Sequence, residues 1–133
     1  MYNPSKIFQE KIKSLKNILI VIKTINGNIF GFFYSDSPNQ IQNQNQNISP
    51  NNQYEEIFNT NLYTYNSIIF SYTKNKAFIK EDCIYPNFSI HYDIIKKCFL
   101  GTEITSIGKY ILNGTQQFII QVIEVYEILY YDD

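Results

Sequence analysis

The sequence predicts an α+β fold with a layered β core, and three observations support this prediction. Residues 17–35 and 117–130 carry apolar side chains on both faces of a strand, whereas a strand with one solvent-exposed face alternates apolar and polar residues. An Asn-Gly pair within the first segment is typical of a β-hairpin turn. The chain of 133 residues is long enough for one domain with its own core. We therefore expect both segments to lie inside a layered structure.

The composition is that of an ordinary soluble globular protein. A formal charge of −1 gives no reason to expect nucleic acid or an anionic membrane as partner. The longest apolar run, residues 18–22, is far shorter than a membrane span of about 20 residues, and no signal-peptide pattern is present. We expect a cytoplasmic chain without membrane insertion, in which Cys83 and Cys98 are reduced thiols.

A short helix is predicted over residues 5–15. Asn3 is a suitable N-cap, and Pro4 fits the first turn because its fixed φ is helical and its missing N–H would have no partner there. A membrane-surface helix is the alternative interpretation of the same amphipathic pattern. The predicted buried side of the helix comprises Ile7, Phe8, Ile12 and Leu15.

The first hairpin is predicted to turn at Asn26 and Gly27, since a type I′ turn needs positive φ at both central residues. Such a two-residue turn pairs Thr24 with Ile29 and sets the register of the preceding pairs. In that register one face carries Ile18, Ile20, Ile22, Ile29 and Phe33, and the other carries Leu19, Val21, Ile25, Phe30, Phe32 and Tyr34. We expect both faces of the hairpin to be covered.

Residues 36–61 are predicted to form a disordered loop inserted between two strands. Asn and Gln supply 11 of the 15 residues from 39 to 53, which leaves too little apolar surface to offset the entropy of ordering the segment. A prion-like assembly role is the alternative for such a composition.

Further strands are predicted at residues 62–73, 77–80, 88–92, 104–112 and 117–130, with bends at Gly101 and Gly108. In the last of these strands, Glu124 lies in the middle of an apolar face. A buried carboxylate is costly unless it has hydrogen bonds or a charged partner. Glu124 is therefore either a structural residue with a satisfied network or a functional one.

The sequence predicts no catalytic residue, no cofactor and no metal ligand set. His91 is the single histidine, Cys98 follows it seven residues later, and no Cys-x-x-Cys pair occurs. Nucleophile-elbow, phosphate-loop and dinucleotide motifs are also missing from the sequence. A nucleophilic pair of Cys98 and His91, or an oxidisable Cys83, remains as an alternative.

Four segments, in order along the chain, resemble the TLDc domain family. Residues 18–33 resemble its opening hairpin, "T-L-x-x-I-K-x-x-x-G-x-x-F-G-G-F/Y", and residues 65–72 resemble its "D-x-x-A-F-I-F-S-L" strand. Residues 89–101 are similar to the segment before its "F-G-G-G" turn, and residues 114–128 to its closing strand. The positions matched to these motifs, which we expect to be structural, are Gly27, Phe30, Gly31, Phe70, Ser71, Phe99, Gly101, Gly114, Phe118, Glu124, Val125 and Tyr126.

The resemblance implies an α+β fold in which two antiparallel β-sheets pack as a sandwich with a few flanking helices. It implies one short, divergent domain over residues 1–133 that lacks the usual N-terminal part of the family. It also implies a non-catalytic protein-interaction domain, since the family is linked to binding of the vacuolar proton-pumping ATPase and to resistance against oxidative damage. The alternatives are a divergent structural subunit of a larger assembly and a cysteine-based redox protein.

Overall fold

A computed structural model describes residues 3–35, 53–63, 66–104 and 110–130. These residues contain one α-helix, one short 3-10 helix at Thr60–Leu62 and eight strands. The elements are α1 Pro4–Ser14, β1 Ile18–Thr24, β2 Ile29–Tyr34, β3 Tyr54–Asn59, β4 Ser67–Ser71, β5 Lys76–Ile79, β6 Asn87–Asp93, β7 Cys98–Ile104 and β8 Gln117–Glu127.

The eight strands form one continuous antiparallel sheet in the order β3-β6-β7-β8-β1-β2-β4-β5. Strand β8 joins its two halves because its 11 residues pair with β7 at the start and with β1 over the remainder. The mostly β architecture with a helix is confirmed. The expected pair of separate sheets is not confirmed, since hydrogen bonds run through β8 from one half to the other.

The sheet curls so that its two halves face each other across the core. Four strand spacings separate β2 from β6, which would be about 19 Å in a flat sheet. The rings of Phe30 in β2 and Phe88 in β6 nevertheless have centroids only 5.5 Å apart, and those of Phe32 and Phe58 lie 5.4 Å apart. We call the concave side of the sheet the inner face and the convex side the outer face.

The hairpin of β1 and β2 has a three-residue loop, so the predicted register is wrong by one residue. Thr24 N–H donates to the carbonyl of Asn28 at 2.9 Å, and Gly27 has the left-handed φ of +92° that this longer loop requires. A one-residue shift moves one strand's side chains to the opposite face relative to its neighbour. As a result, the inner face of the hairpin carries Ile18, Ile20, Ile22, Phe30, Phe32 and Tyr34, all of them buried.

Helix α1 is confirmed, with the Asn3 side chain accepting a hydrogen bond from a first-turn N–H at 3.2 Å. Phe8 and Ile12 are buried, and the ring of Phe8 lies 6.3 Å from that of Phe99. The prediction for Ile7 is wrong because its side chain points away from the sheet and is 48% exposed.

Strand β3 lies at the end of the predicted loop, which corrects that prediction for residues 54–59; residues 36–52 of the loop lie outside the described part of the chain. The adjacent Glu55 and Glu56 are accommodated in a strand because β3 lies at the edge of the sheet, where both side chains reach water. A bulge at Ile57 turns both Ile57 and Phe58 into the core.

Of the strand predicted at residues 104–112, residues 105–109 lie outside the described part of the chain; β7 occupies Cys98–Ile104, and residues 110–112 are irregular. Gly101 lies in the middle of β7 rather than at a bend. A Cβ atom at Gly101 would come within 2.0 Å of the Phe118 ring, which fills the space above the glycine. Gly108 lies outside the described residues. The predicted strands that became β4, β5 and β6 are confirmed.

Candidate interaction surface

The outer face of β8, β1, β2, β4 and β5 is apolar. Cross-strand pairing aligns Tyr126, Leu19, Phe33, Ile68 and Ile79 in one row across all five strands. None of these five side chains is fully buried, and Ile79 and Tyr126 are 56% and 44% exposed. We call this surface, with the two rows described next, the apolar outer face.

A second row runs parallel to the first. It contains Glu124, Val21, Gly31, Phe70 and Ala77. The Phe70 ring covers Gly31, since a Cβ there would lie 2.6 Å from Phe70 Cζ. The surface therefore stays continuous where one strand has no side chain.

The third row is shorter and contains Val122 of β8, Lys23 of β1 and Ile29 of β2. Val122 is 43% exposed. The outer side of an antiparallel sheet is normally polar when water covers it. Helix α1, the one α-helix in the described ranges, packs against β3 at the far edge of the sheet. A contiguous apolar surface of this kind is typical of a site for another protein.

Glu124 provides a fixed negative charge within the apolar outer face. Its side chain is exposed, so the prediction of a buried carboxylate at this position is wrong. The Tyr126 hydroxyl donates a hydrogen bond to Glu124 Oε2 at 2.5 Å. That hydrogen bond, together with desolvation and the carboxylate charge, raises the pKa of Tyr126. The pair thus presents an oriented anionic group to any partner.

A groove continues the apolar outer face beyond its first row. It has a volume of about 550 Å³ and lies beside Phe33, Ile68 and Ile79, with Tyr130 as a further apolar wall. Polar side chains, including Asn17, form its rim. The surface therefore has a groove that a partner's side chain can enter, as well as apolar area.

Two carboxylates that the sequence did not single out are fully buried. Glu103 accepts hydrogen bonds from the backbone N–H groups of three consecutive residues, 111–113. Asp93 accepts from the N–H groups of Ile95 and Lys96 and from the Gln53 amide. Burial acts to raise the pKa of Asp93, but these hydrogen bonds outweigh it and the pKa is lowered. An Asp at the start of a turn was the available signal for Asp93.

The residues that match the TLDc motifs are distributed over the fold rather than gathered at one site. Phe30 and Phe118 meet in the core with ring centroids 5.2 Å apart, and Phe99 contacts the ring of Tyr92 at 5.1 Å. The remaining matched residues lie in turns, at the inner face or on the apolar outer face: Gly27, Gly31, Phe70, Ser71, Gly101, Gly114, Glu124, Val125 and Tyr126.

His91 forms a hydrogen bond with Ser89, whose hydroxyl lies 2.9 Å from His91 Nε2. Cys98 pairs across the strands with Asp93 instead, and Cys83 is exposed in the loop before β6. Within the described ranges, no group of three or more His, Cys, Asp or Glu residues could hold a metal ion. No helix in those ranges is long and apolar enough to cross a bilayer.

Comparison of the chain with protein-family models, with curated proteins and with solved structures gives no match.

Proposed function

We propose that this chain is a TLDc-like, non-catalytic protein-interaction domain of the cytoplasm that binds its partner through the apolar outer face. The observation that carries the proposal is the mainly apolar surface formed by two rows across β8, β1, β2, β4 and β5 and a shorter third row on β8, β1 and β2, which no described helix covers. In this proposal the curled sheet corresponds to the family's sandwich, with β8 shared between the two layers.

The partner in this proposal is the vacuolar proton-pumping ATPase, as the resemblance implies, and the binding contributes to resistance against oxidative damage. We place the contact on one of its peripheral subunits for the test below. The surface defines the chemistry of the matching site. It must be apolar and must bring a lysine or arginine to Glu124, because an exposed carboxylate buried without a cation would be costly.

The size of the apolar outer face sets how much of the interface it can supply. Five strands spaced about 4.8 Å apart span about 19 Å, and three rows give an area on the order of 300 Å². A stable interface buries about 800 Å² on each partner. The apolar outer face would thus form the central part of the contact, and the rim, including the groove at Tyr130, would supply the remainder.

Binding of purified chain to purified peripheral subunits of the ATPase tests the proposal directly. The variant Val122→Asp places a charge in the third row of the apolar outer face, where the side chain is 43% exposed, and we expect it to weaken binding at least about tenfold. The matched control is Ile94→Asp, an apolar position of 44% exposure in the turn between β6 and β7, which should change binding by about twofold or less. Biolayer interferometry gives the affinities, and circular dichroism checks that both variants fold.

Three outcomes would overturn parts of this proposal. Failure of every peripheral subunit to bind the wild-type chain removes the partner. Equal loss of binding in both variants removes the apolar outer face as the site. A dimer of the chain in sedimentation, dissociated by Val122→Asp, would assign the surface to a second copy instead.

A structural subunit of a larger assembly is the second candidate, because an uncovered apolar face is also what a permanent subunit exposes when separated from its neighbours. Size-exclusion chromatography of native lysate distinguishes the two. A structural subunit elutes entirely at high mass, whereas a pool of free monomer contradicts this candidate.

A further inference from the structure

A cleft lies on the outer face of the other half of the sheet, over β6, β7 and β8. Its floor is a cross-strand row of His91, Leu100 and Ile119. The β1–β2 loop supplies Ile25 and Asn26 to its wall. The cleft has a volume of about 720 Å³, which is within the range of small-molecule sites.

The loops around the cleft are held in place by hydrogen bonds. Ile25 N–H donates to the carbonyl of Ile119 at 3.1 Å, which ties the β1–β2 loop to β8. The Asn28 amide donates to the backbone carbonyl of Asn113 at 3.0 Å, which ties the same hairpin to the loop before β8. The walls are therefore fixed relative to the floor, as a preformed site requires.

The lining combines apolar surface with neutral polar groups. Leu100, Ile119 and Ile25 supply the apolar part, and Thr102 and Thr115 carry hydroxyl groups at the edge. This mixture of an apolar floor and a few polar groups is typical of sites for small organic ligands.

Lys96 is the cation of the cleft, and neither Asp nor Glu is among the described residues that line it. Asp93 interacts electrostatically with Lys96, but its carboxylate is fully buried and already accepts three hydrogen bonds, whereas Lys96 is exposed. Glu56 lies beside His91 in the next strand, outside the lining. Burial lowers the pKa of His91, although Glu56 on β3 opposes that shift, so the imidazole contributes a hydrogen bond rather than a charge at pH 7.

We propose that this cleft binds a small organic anion with an apolar body, whose negative group pairs with Lys96 while its hydrocarbon part lies over Leu100 and Ile119. One cation and no lining carboxylate select a single negative charge. The apolar row selects a hydrocarbon chain or ring over a compact inorganic anion. This site and the apolar outer face share strand β8 but use different residues of it: the cleft uses Ile119, and the apolar outer face begins at Val122.

Titration of the ¹⁵N-labelled chain with octanoate, octylamine and 1-octanol tests the proposal, because these probes share one chain and differ in charge. Octanoate should give saturable shifts in backbone amides of the cleft, such as those of Thr102 and Ile119. Lys96→Glu should weaken octanoate binding about tenfold, as reversal of one charge contact near a surface predicts. The matched control is Lys97→Glu, which makes the same charge change one residue away, outside the cleft lining, and should leave octanoate affinity within about twofold.

The expected order of affinity is octanoate, then octanol, then octylamine. Equal affinity for octanoate and octylamine would overturn the charge selection. Equal losses of octanoate affinity in Lys96→Glu and Lys97→Glu would show that only the net charge of the chain matters, and would remove Lys96 from the site. Shifts confined to Val122 and Tyr126 would place the probe on the apolar outer face and remove the cleft.

Discussion

Glu103 anchors the segment before β8 to the rest of the sheet. Its fully buried carboxylate in β7 accepts N–H groups of Leu112 and Asn113 at 2.7 and 2.8 Å, besides that of Ile111. Hydrogen bonds between an ionised acceptor and backbone N–H groups are among the stronger ones in proteins. They also satisfy three donors in a segment that has no regular secondary structure. One side chain therefore supplies the hydrogen bonds that a neighbouring strand would otherwise provide to these three N–H groups.

Replacing Glu103 by Gln should lower the free energy of unfolding by about 2–3 kcal/mol, because the amide turns one acceptor oxygen into a donor that faces a backbone N–H. Glu124→Gln, the same change on the exposed apolar outer face, should cost about 0.5 kcal/mol or less. Urea denaturation measures both values. Similar losses in the two variants would contradict the structural role of Glu103.

The pattern of the sequence does not show which of these two carboxylates is buried. Both lie in strand-like segments, and Glu124 has the more apolar neighbours. What separates them is geometry. A loop folds back over Glu103 to present three N–H groups, whereas a bulge turns Glu124 outward.

Strand β8 contains that bulge at Gln121. Lys23 pairs with Val122 and Thr24 with Ile120, so Gln121 has no partner residue on β1. Phe118 and Ile120 point inward before the bulge, and Ile123 and Val125 pack on the core after it. The prediction assumed an unbroken two-residue alternation, which assigns the core residues of β8 to both of its faces. The resulting prediction that β8 is covered on both sides was wrong.

Deleting Gln121 should remove the bulge and restore a regular two-residue alternation, in which Ile123 and Val125 still face the core and Glu124 and Tyr126 still face outward. We expect this deletion to lower the free energy of unfolding by about 1 kcal/mol or less. Deleting Glu124 instead keeps the bulge and reverses the facing of the strand beyond it, which exposes Val125 and should cost at least about 2 kcal/mol. Chemical denaturation followed by circular dichroism compares the two. Similar losses in the two deletion variants would contradict the assignment of Gln121 as the bulge residue.

Elements whose determinants are local were predictable from the sequence. The Asn3 cap and Pro4 specify α1, and the turn between β4 and β5 places Asn75 at the left-handed φ of 54° that Asn tolerates. Strand β3 was missed because its partner is distant, and β7 was missed because a mid-strand glycine was interpreted as a bend. β3 hydrogen-bonds to β6, more than 30 residues later, and β7 contains Gly101, which is acceptable mid-strand because Phe118 packs over it.

At the scale of the whole molecule, curling of the sheet creates the core and both candidate sites. Aromatic rings from the two halves interlock inside, where Phe32 contacts Tyr63 at 5.0 Å and Tyr34 contacts Tyr63 at 4.5 Å. The sequence predicted that both faces of the hairpin are apolar and covered. The outer side is apolar, but Leu19, Val21 and Phe33 stay partly exposed there, so the expected cover is not found among the described residues. The alignment of Tyr126, Leu19, Phe33, Ile68 and Ile79 could not be predicted, since it depends on the registers of four strand pairs.

Closure of the core places two tyrosine hydroxyls away from water. Tyr63 is fully buried, and its hydroxyl has no hydrogen-bond partner among the described residues. Burial raises the pKa of Tyr63, with a further rise from Tyr34. Burial also raises the pKa of Tyr85 to about 12, although its hydrogen bond with Ser67 partly offsets the shift. Both phenols therefore favour the neutral form in the folded protein.

Stability of the whole molecule should accordingly fall between pH 10 and pH 12. Above about pH 10 the tyrosines of the unfolded chain ionise while Tyr63 and Tyr85 stay protonated in the folded one, so proton release favours unfolding. With a folded pKa of about 12, Tyr85 alone accounts for a loss on the order of 2 kcal/mol by pH 12. Urea denaturation at half-unit steps from pH 8 to pH 12 measures the slope. Tyr85→Phe and Tyr63→Phe should each flatten it while leaving the difference from wild type constant below pH 9. If both variants keep the wild-type slope, the buried phenols are not its cause, and the core must admit water to them before the molecule unfolds.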